Sequence, residues 1–459
     1  MHSLWAIARN TLSQAIRMKV AAVVIVLLAV LLPLMGVVMK GDGTLLGKLQ
    51  TFVSYGLGLV SLLLCILTIA ISTFTLSNDL KRKHLYLVAT KPVRRYEIVA
   101  GKLLGVLILD VFLLAMFGAI IYGLTLLIPR IADADELQRE RARVEFFTAR
   151  SGLKIAQDET GLRTRAEKRF VELKESGQLP RDMTEPQALS ELMAQEKMIA
   201  KSCPPAQIKR WDFEGVRVQD ADDPNAVIFI RYKFESTTVL TDDMIYGLWR
   251  IGDLRQEDAG LERMVTPVYY VERDETVRAY HEFAVPARAV ADDGFLGVAF
   301  FNSPQLNTTT VILEDVEVLF HSGTFTTNYI RSLAMIYVRL AFLAALGVSL
   351  TTWLSFPVAI LVCAAAFLLG TMSGFVIESF SGLGAVLGLV YNFTLRPLIW
   401  MIPQFDGLYS PSMYIINGRL IEWSFLATMI TVTLLVKAMA VLLIGMWVFS
   451  RREIAKAVV

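Results

Sequence analysis

The chain has 459 residues, 54% of them hydrophobic, with a mean hydropathy of +0.51. That balance excludes an ordinary soluble globular protein and indicates a polytopic membrane protein. The net charge of +2 hides a split: residues 130–328 carry 25 Lys/Arg against 35 Asp/Glu, and the remainder carries 20 against 8, which marks 130–328 as a separate unit in a different place.

Residues 1–19 suit an amphipathic helix at the cytoplasmic surface, with Leu4, Trp5, Ala8, Leu12, Ala15 and Ile16 on its apolar face. Apolar stretches follow at 20–39, 51–77 and 99–128, each long enough to cross about 30 Å of hydrocarbon. The first is too long for the apolar part of a signal peptide, and no cleavage motif follows it. Residues 20–128 therefore form spans 1–3, with the segment 78–98 between the second and third.

That segment reads Asp79, a basic cluster at Lys81, Arg82 and Lys83, then Lys91-Pro92-Val93, Arg94-Arg95, Glu97 and Gly101-Lys102. Seven Lys/Arg against two acids between Asp79 and Lys102 place it on the cytoplasmic face, and the Pro break reads as helix, stop and new helix start. The order of these residues resembles the first cytoplasmic loop of permease subunits of the type-2 (ABC-2) ABC export family. The resemblance implies six spans and a coupling helix docked on a separate ATPase subunit, with Asp79, Lys91, Pro92, Arg94, Arg95, Glu97 and Lys102 at the docking surface. ATP and magnesium would be held by that partner, with no cofactor on this chain. Asp79 stands where the family usually has Glu, and the basic Lys81-Arg82-Lys83 replaces a Gly-Thr pair. The resemblance covers about 260 residues of the membrane part and not the polar region.

Residues 130–205 read as charged helix with breaks near Gly161 and 178–180, suggesting a hairpin or stalk. From 206 the period changes. Ile228, Ile230, Tyr232 and Phe234 alternate with Val227, Phe229, Arg231 and Lys233, a strand pattern. Further strands are expected at 245–251, 265–271, 277–285, 295–301 and 308–320, so that 206–328 forms a β-sandwich. The fold class is thus a polytopic α-helical membrane protein with a large α+β extracytoplasmic insertion. Cys203 is the one Cys of that region and Cys65 and Cys363 lie in apolar spans, so no disulfide within it is expected.

Residues 329–459 hold spans 4–6, at 329–351, 357–377 and 425–449. The basic ending Arg451-Arg452 belongs on the cytoplasmic side with the N-terminus, which makes 378–424 a re-entrant or interfacial segment. Trp5, Trp353 and Trp400 suit interface anchors. The default location is a bacterial inner membrane.

Gly41 to Leu49 is a near miss for a phosphate-binding loop, with wrong spacing and Leu in place of Ser/Thr, and no HExxH or G-x-S-x-G occurs. The chain is expected not to be an enzyme. Asp110, Arg339 and Lys437 fall near mid-depth of spans, where a charge is expensive. They read either as a polar translocation path or as an intramembrane ion pair of Asp110 with Arg339 or Lys437. The expected function is the permease subunit of an ABC exporter, paired with a second copy or a paralogue, in contact with lipid and not with nucleic acid. The alternative is a non-transporting envelope protein whose sandwich binds a glycan or a protein.

Overall fold

The computed structural model describes residues 2–81, 94–155, 158–177, 179, 185–218, 226–238, 242–260, 265–381 and 393–451. The chain divides into two compact units, Met1–Ala149 with Gly323–Val459, and Arg150–Ser322. The first unit opens with α1 (His2–Ile16), α2 (Lys19–Val38), α3 (Leu45–Lys81), α4 (Arg95–Ile131) and α5 (Glu136–Glu145). Helix α5 belongs here and not with the polar insertion expected from 130 onward. Ala142 and the adjacent Phe146 are buried in the main helical core, and the Gln138 side chain accepts a hydrogen bond from Leu45 N at 3.3 Å.

The second unit carries β1 (Thr148–Lys154, whose first two residues fall in the first unit), α6 (Glu159–Glu175) and α7 (Glu185–Lys201). Helices α6 and α7 pack on each other, as a hairpin would. The expected break at Gly161 is instead the first turn of α6, where Asp158 accepts a hydrogen bond from Gly161 N. Next come β2 (Ser202–Cys203), β3 (Ile208–Phe213), β4 (Val227–Ser236), β5 (Met244–Gly252), β6 (Tyr269–Thr276), β7 (Tyr280–Pro286), β8 (Leu296–Phe301) and β9 (Val311–Thr324). One sheet has the order β1-β9-β4-β7 with β2 also on β9; the other is β3-β8-β5-β6. The alternation in β4 sends Ile228, Ile230, Tyr232 and Phe234 into a core shared with Ile245, Trp249 and Ile251 of β5 and Leu296, Val298 and Phe300 of β8. One apolar core is thus built from residues of both sheets.

The chain then forms α8 (Phe325–Leu350), α9 (Phe356–Thr371), α10 (Ser373–Ser381), α11 (Leu395–Met401), α12 (Pro411–Ile416) and α13 (Trp423–Arg451). Helices α2, α3, α4, α8 and α13 are long and apolar enough to cross a membrane. Helix α9 has 16 residues, short of the ~20 a span needs. The helix expected over 357–377 is broken at Met372, because Asp406 caps a new start: its carboxylate accepts from Ser373 Oγ at 2.9 Å and Gly374 N at 2.6 Å, while Phe405 N donates to Gly370 O at 2.8 Å. Between Met372 and Trp423, no described helix exceeds nine residues.

Helices α3, α4 and α8 form the centre of this unit. The apolar window of α8 is 78% buried, against 22% for α2 and 28% for α13. Val23, Val26 and Val30 of α2 and Leu443, Ile444 and Trp447 of α13 face outward, and such outward apolar faces suit lipid. Helix α1 lies along α4, but its buried residues are Ala8, Thr11 and Ala15, whereas Trp5 and Ile16, expected on the apolar face, are about 60% exposed. Close approach of two backbones selects small residues. A Cβ on Gly105 would lie 2.7 Å from both Ala8 O and Thr11 Cβ. Gly105→Val therefore lifts α1 off α4, with an overpacking cost of about 1–3 kcal/mol. A cysteine at Ala8, in a variant lacking the native cysteines, is expected to resist maleimide with Gly105 and to react in the Gly105→Val background; equal protection would contradict the close packing.

Candidate functional site

The root of the loop between α3 and α4 gathers most of the polar residues singled out in the sequence. Lys102, 2% exposed and about two helical turns into α4, reaches Asp79 near the end of α3 with Nζ 2.5 Å from Oδ2, and also donates to Thr75 O at 3.0 Å. The two ends of the loop are thereby joined by a buried ion pair. Lys102 and Asp79 are engaged with each other: the ammonium lies inside the helix bundle, where its charge partner and the Thr75 carbonyl offset its burial.

Glu97 occupies the first turn of α4, where a carboxylate is favoured by the helix dipole, and its Oε2 accepts from Ser3 Oγ of α1 at 2.8 Å. Arg95 Nη1 donates to Ser450 O of α13 at 2.6 Å. Arg94 holds the extended N-cap position and its Nη1 lies 3.1 Å from Tyr96 Oη. The Tyr96 hydroxyl beside it raises the Arg94 pKa further. Lys91 and Pro92 lie outside the described residues, as does the rest of 82–93. The partners Ser3, Thr75 and Ser450 carry no sequence signal.

The three mid-helix charges do not form the ion pair that sequence suggested. Asp110 Oδ1 accepts from Thr68 Oγ1 at 2.8 Å, and its Oδ2 has no partner among the described residues. Arg339 donates to Ser61 Oγ at 3.0 Å and to Phe405 O at 2.7 Å, with its guanidinium 4.8 Å from the Phe405 ring centroid. Lys437 Nζ donates to Ile402 O at 3.1 Å. Thr68 and Ser61 are seven residues apart on α3, roughly 10 Å along its axis, so each charge is taken by a different neutral neighbour. The energetic coupling between Asp110→Leu and Arg339→Leu in thermal unfolding is accordingly expected to stay below about 0.5 kcal/mol. Rescue of one substitution by the other would restore the ion pair.

Among the described residues no group of three His, Cys, Asp or Glu side chains could hold a metal ion. The five long apolar helices and the separate sheets fit a membrane-embedded protein that carries a β-containing domain. No family model, curated protein or solved structure matches the chain.

Proposed function

We propose that this chain is the permease subunit of an ATP-driven exporter, with the 78–98 loop as the contact for a separate ATPase subunit and with a second copy or a paralogue completing the membrane part. Both termini and the loop would face the cytoplasm of a bacterium. The observation that carries the reading is the way the loop is rooted. The Lys102–Asp79 pair locks α3 to α4 at its base, Glu97 ties α1, and Arg95 ties the end of α13. A push on such a loop moves four helices together, which a passive connector has no need to do. Asp110, Arg339 and Lys437 would border the path of the substrate, or hold its walls.

The test is purification of the tagged chain from its native membranes with an assay of ATP hydrolysis. An ABC-type ATPase is expected to copurify. Arg95→Glu reverses a charge at the loop root and is expected to lower coupled hydrolysis by about tenfold or more, about 1.4 kcal/mol in barrier, while the chain still inserts. An ATPase that fails to copurify, or a variant that hydrolyses ATP like the wild type, would overturn the reading.

A further inference from the structure

A cleft of about 450 Å³ lies between the first half of α13 and the segment around α11, within the range usual for small-molecule sites. Its walls are apolar and aromatic: Ile399 and Trp400 on one side, Phe425 and Val432 on the other. Lys437 and Arg396 also line it. The helix that forms one wall departs from α geometry over Thr431–Ala438, which is a π-helix. Such widened turns are rare and are frequently found at functional sites.

We propose that this cleft binds an anionic amphiphile of the bilayer, with its negatively charged headgroup on the Lys437 ammonium and its acyl chain along the Trp400 and Val432 wall. The ammonium carries three hydrogens, of which one is accounted for by Ile402 O. Lys437 is fourteen residues from either end of α13, roughly 20 Å by helical rise, in the middle of a span. A cation at that depth is costly unless an opposite charge or water accompanies it, and Asp110, the mid-helix carboxylate, is turned to Thr68 instead. A ligand that brings its own negative charge offsets that cost. Its hydrocarbon part matches the walls, since Trp400 is 74% and Val432 43% exposed on a surface that suits lipid. A soluble anion would satisfy the ammonium but not the walls, and a zwitterionic lipid would bring a second cation toward Lys437. The site does not depend on coupling to ATP.

The experiment uses the full chain in nanodiscs of zwitterionic lipid, titrated with brominated-chain phosphatidylglycerol or brominated-chain phosphatidylcholine. The readout is the tryptophan quenching that disappears in Trp400→Phe. The anionic lipid is expected to quench at a mole fraction about tenfold lower than the zwitterionic one, about 1.4 kcal/mol of preference. Lys437→Met is expected to abolish the preference, and Lys437→Arg to keep it. Equal quenching by the two lipids in the wild type, or an undiminished preference in Lys437→Met, overturns the proposal. Displacement of the bound lipid by inorganic phosphate at equal concentration overturns the role of the acyl chain. If Lys437→Met does not fold, the wild-type lipid comparison and Lys437→Arg still decide. Loss of ATPase coupling in any of these proteins leaves the binding result unaffected, so failure here and failure of the transport reading are separate outcomes.

Discussion

Lys102→Met is expected to destabilise the helical unit by about 3–5 kcal/mol, because it leaves Asp79 as a largely buried carboxylate without its cation. The ammonium is 2% exposed and the Asp79 side chain 14% exposed, so water can replace little of what is lost. The Thr75 carbonyl, Lys102's other partner, lies within the long helix α3 and loses only a second acceptor interaction. Asp79→Leu is expected to cost a similar amount by stranding the ammonium instead. The double variant Asp79→Leu/Lys102→Met, with both charges gone and apolar volume retained, should recover most of the loss. Thermal unfolding in detergent across this double-mutant cycle measures it, and additive losses in the double variant would contradict the pair. Stability and coupling part company here. If the pair transmits force from the loop, the double variant regains its unfolding midpoint while copurified ATP hydrolysis stays depressed. If the pair only holds the fold, hydrolysis returns with stability.

Trp249→Ala is expected to cost the sandwich about 3–5 kcal/mol, the range for deleting a buried Trp with incomplete collapse of the cavity. Trp249 is 1% exposed and its ring centroid lies 4.4 Å from that of Tyr232, 5.1 Å from Phe300 and 5.7 Å from Phe283. These rings lie on β4 and β7 of one sheet and β8 of the other, so the side chain joins the two sheets across the core. Tyr232 also donates its hydroxyl to Glu275, and burial together with that carboxylate pushes its pKa well above the ordinary tyrosine value. Hydrogen exchange of the β4, β5 and β8 amides in the full chain reads the effect. Acceleration by roughly two to four orders of magnitude follows from that energy. Trp249→Phe keeps a ring in place and is expected to lose much less. Exchange in Trp249→Ala at the wild-type rate would show that the ring is not part of the folding core.

Much of the architecture follows from composition and periodicity alone. The apolar runs at 20–39, 51–77, 99–128 and 425–449 correspond to α2, α3, α4 and α13, since a helix in hydrocarbon must satisfy its backbone internally and so declares itself by length. The two-residue alternation marked β4 as a strand, because successive side chains of a strand point to opposite faces of its sheet. Other elements were invisible. Strand β1, with Arg150 and Lys154 and no alternation, is a strand because it lies beside β9. The expected strands 265–271 and 277–285 are displaced to Tyr269–Thr276 and Tyr280–Pro286. The connection between them turns at Arg278, which holds a φ of +67° in place of the Gly or Asn that would have announced it.

The candidate site divides in the same way. Charge at the loop and charge within the spans were legible, because each violates the local expectation for its surroundings. Which groups those charges touch was decided by packing. Asp79 and Lys102 are 23 residues apart and meet only because α3 and α4 lie side by side. Asp110 and Arg339 are both close enough to α3 to find hydroxyls on it, and so never find each other. Sequence records that a charge needs a partner; the partner itself is chosen by distances of a few ångströms between elements far apart in the chain, over which an ion pair or hydrogen bond forms or does not.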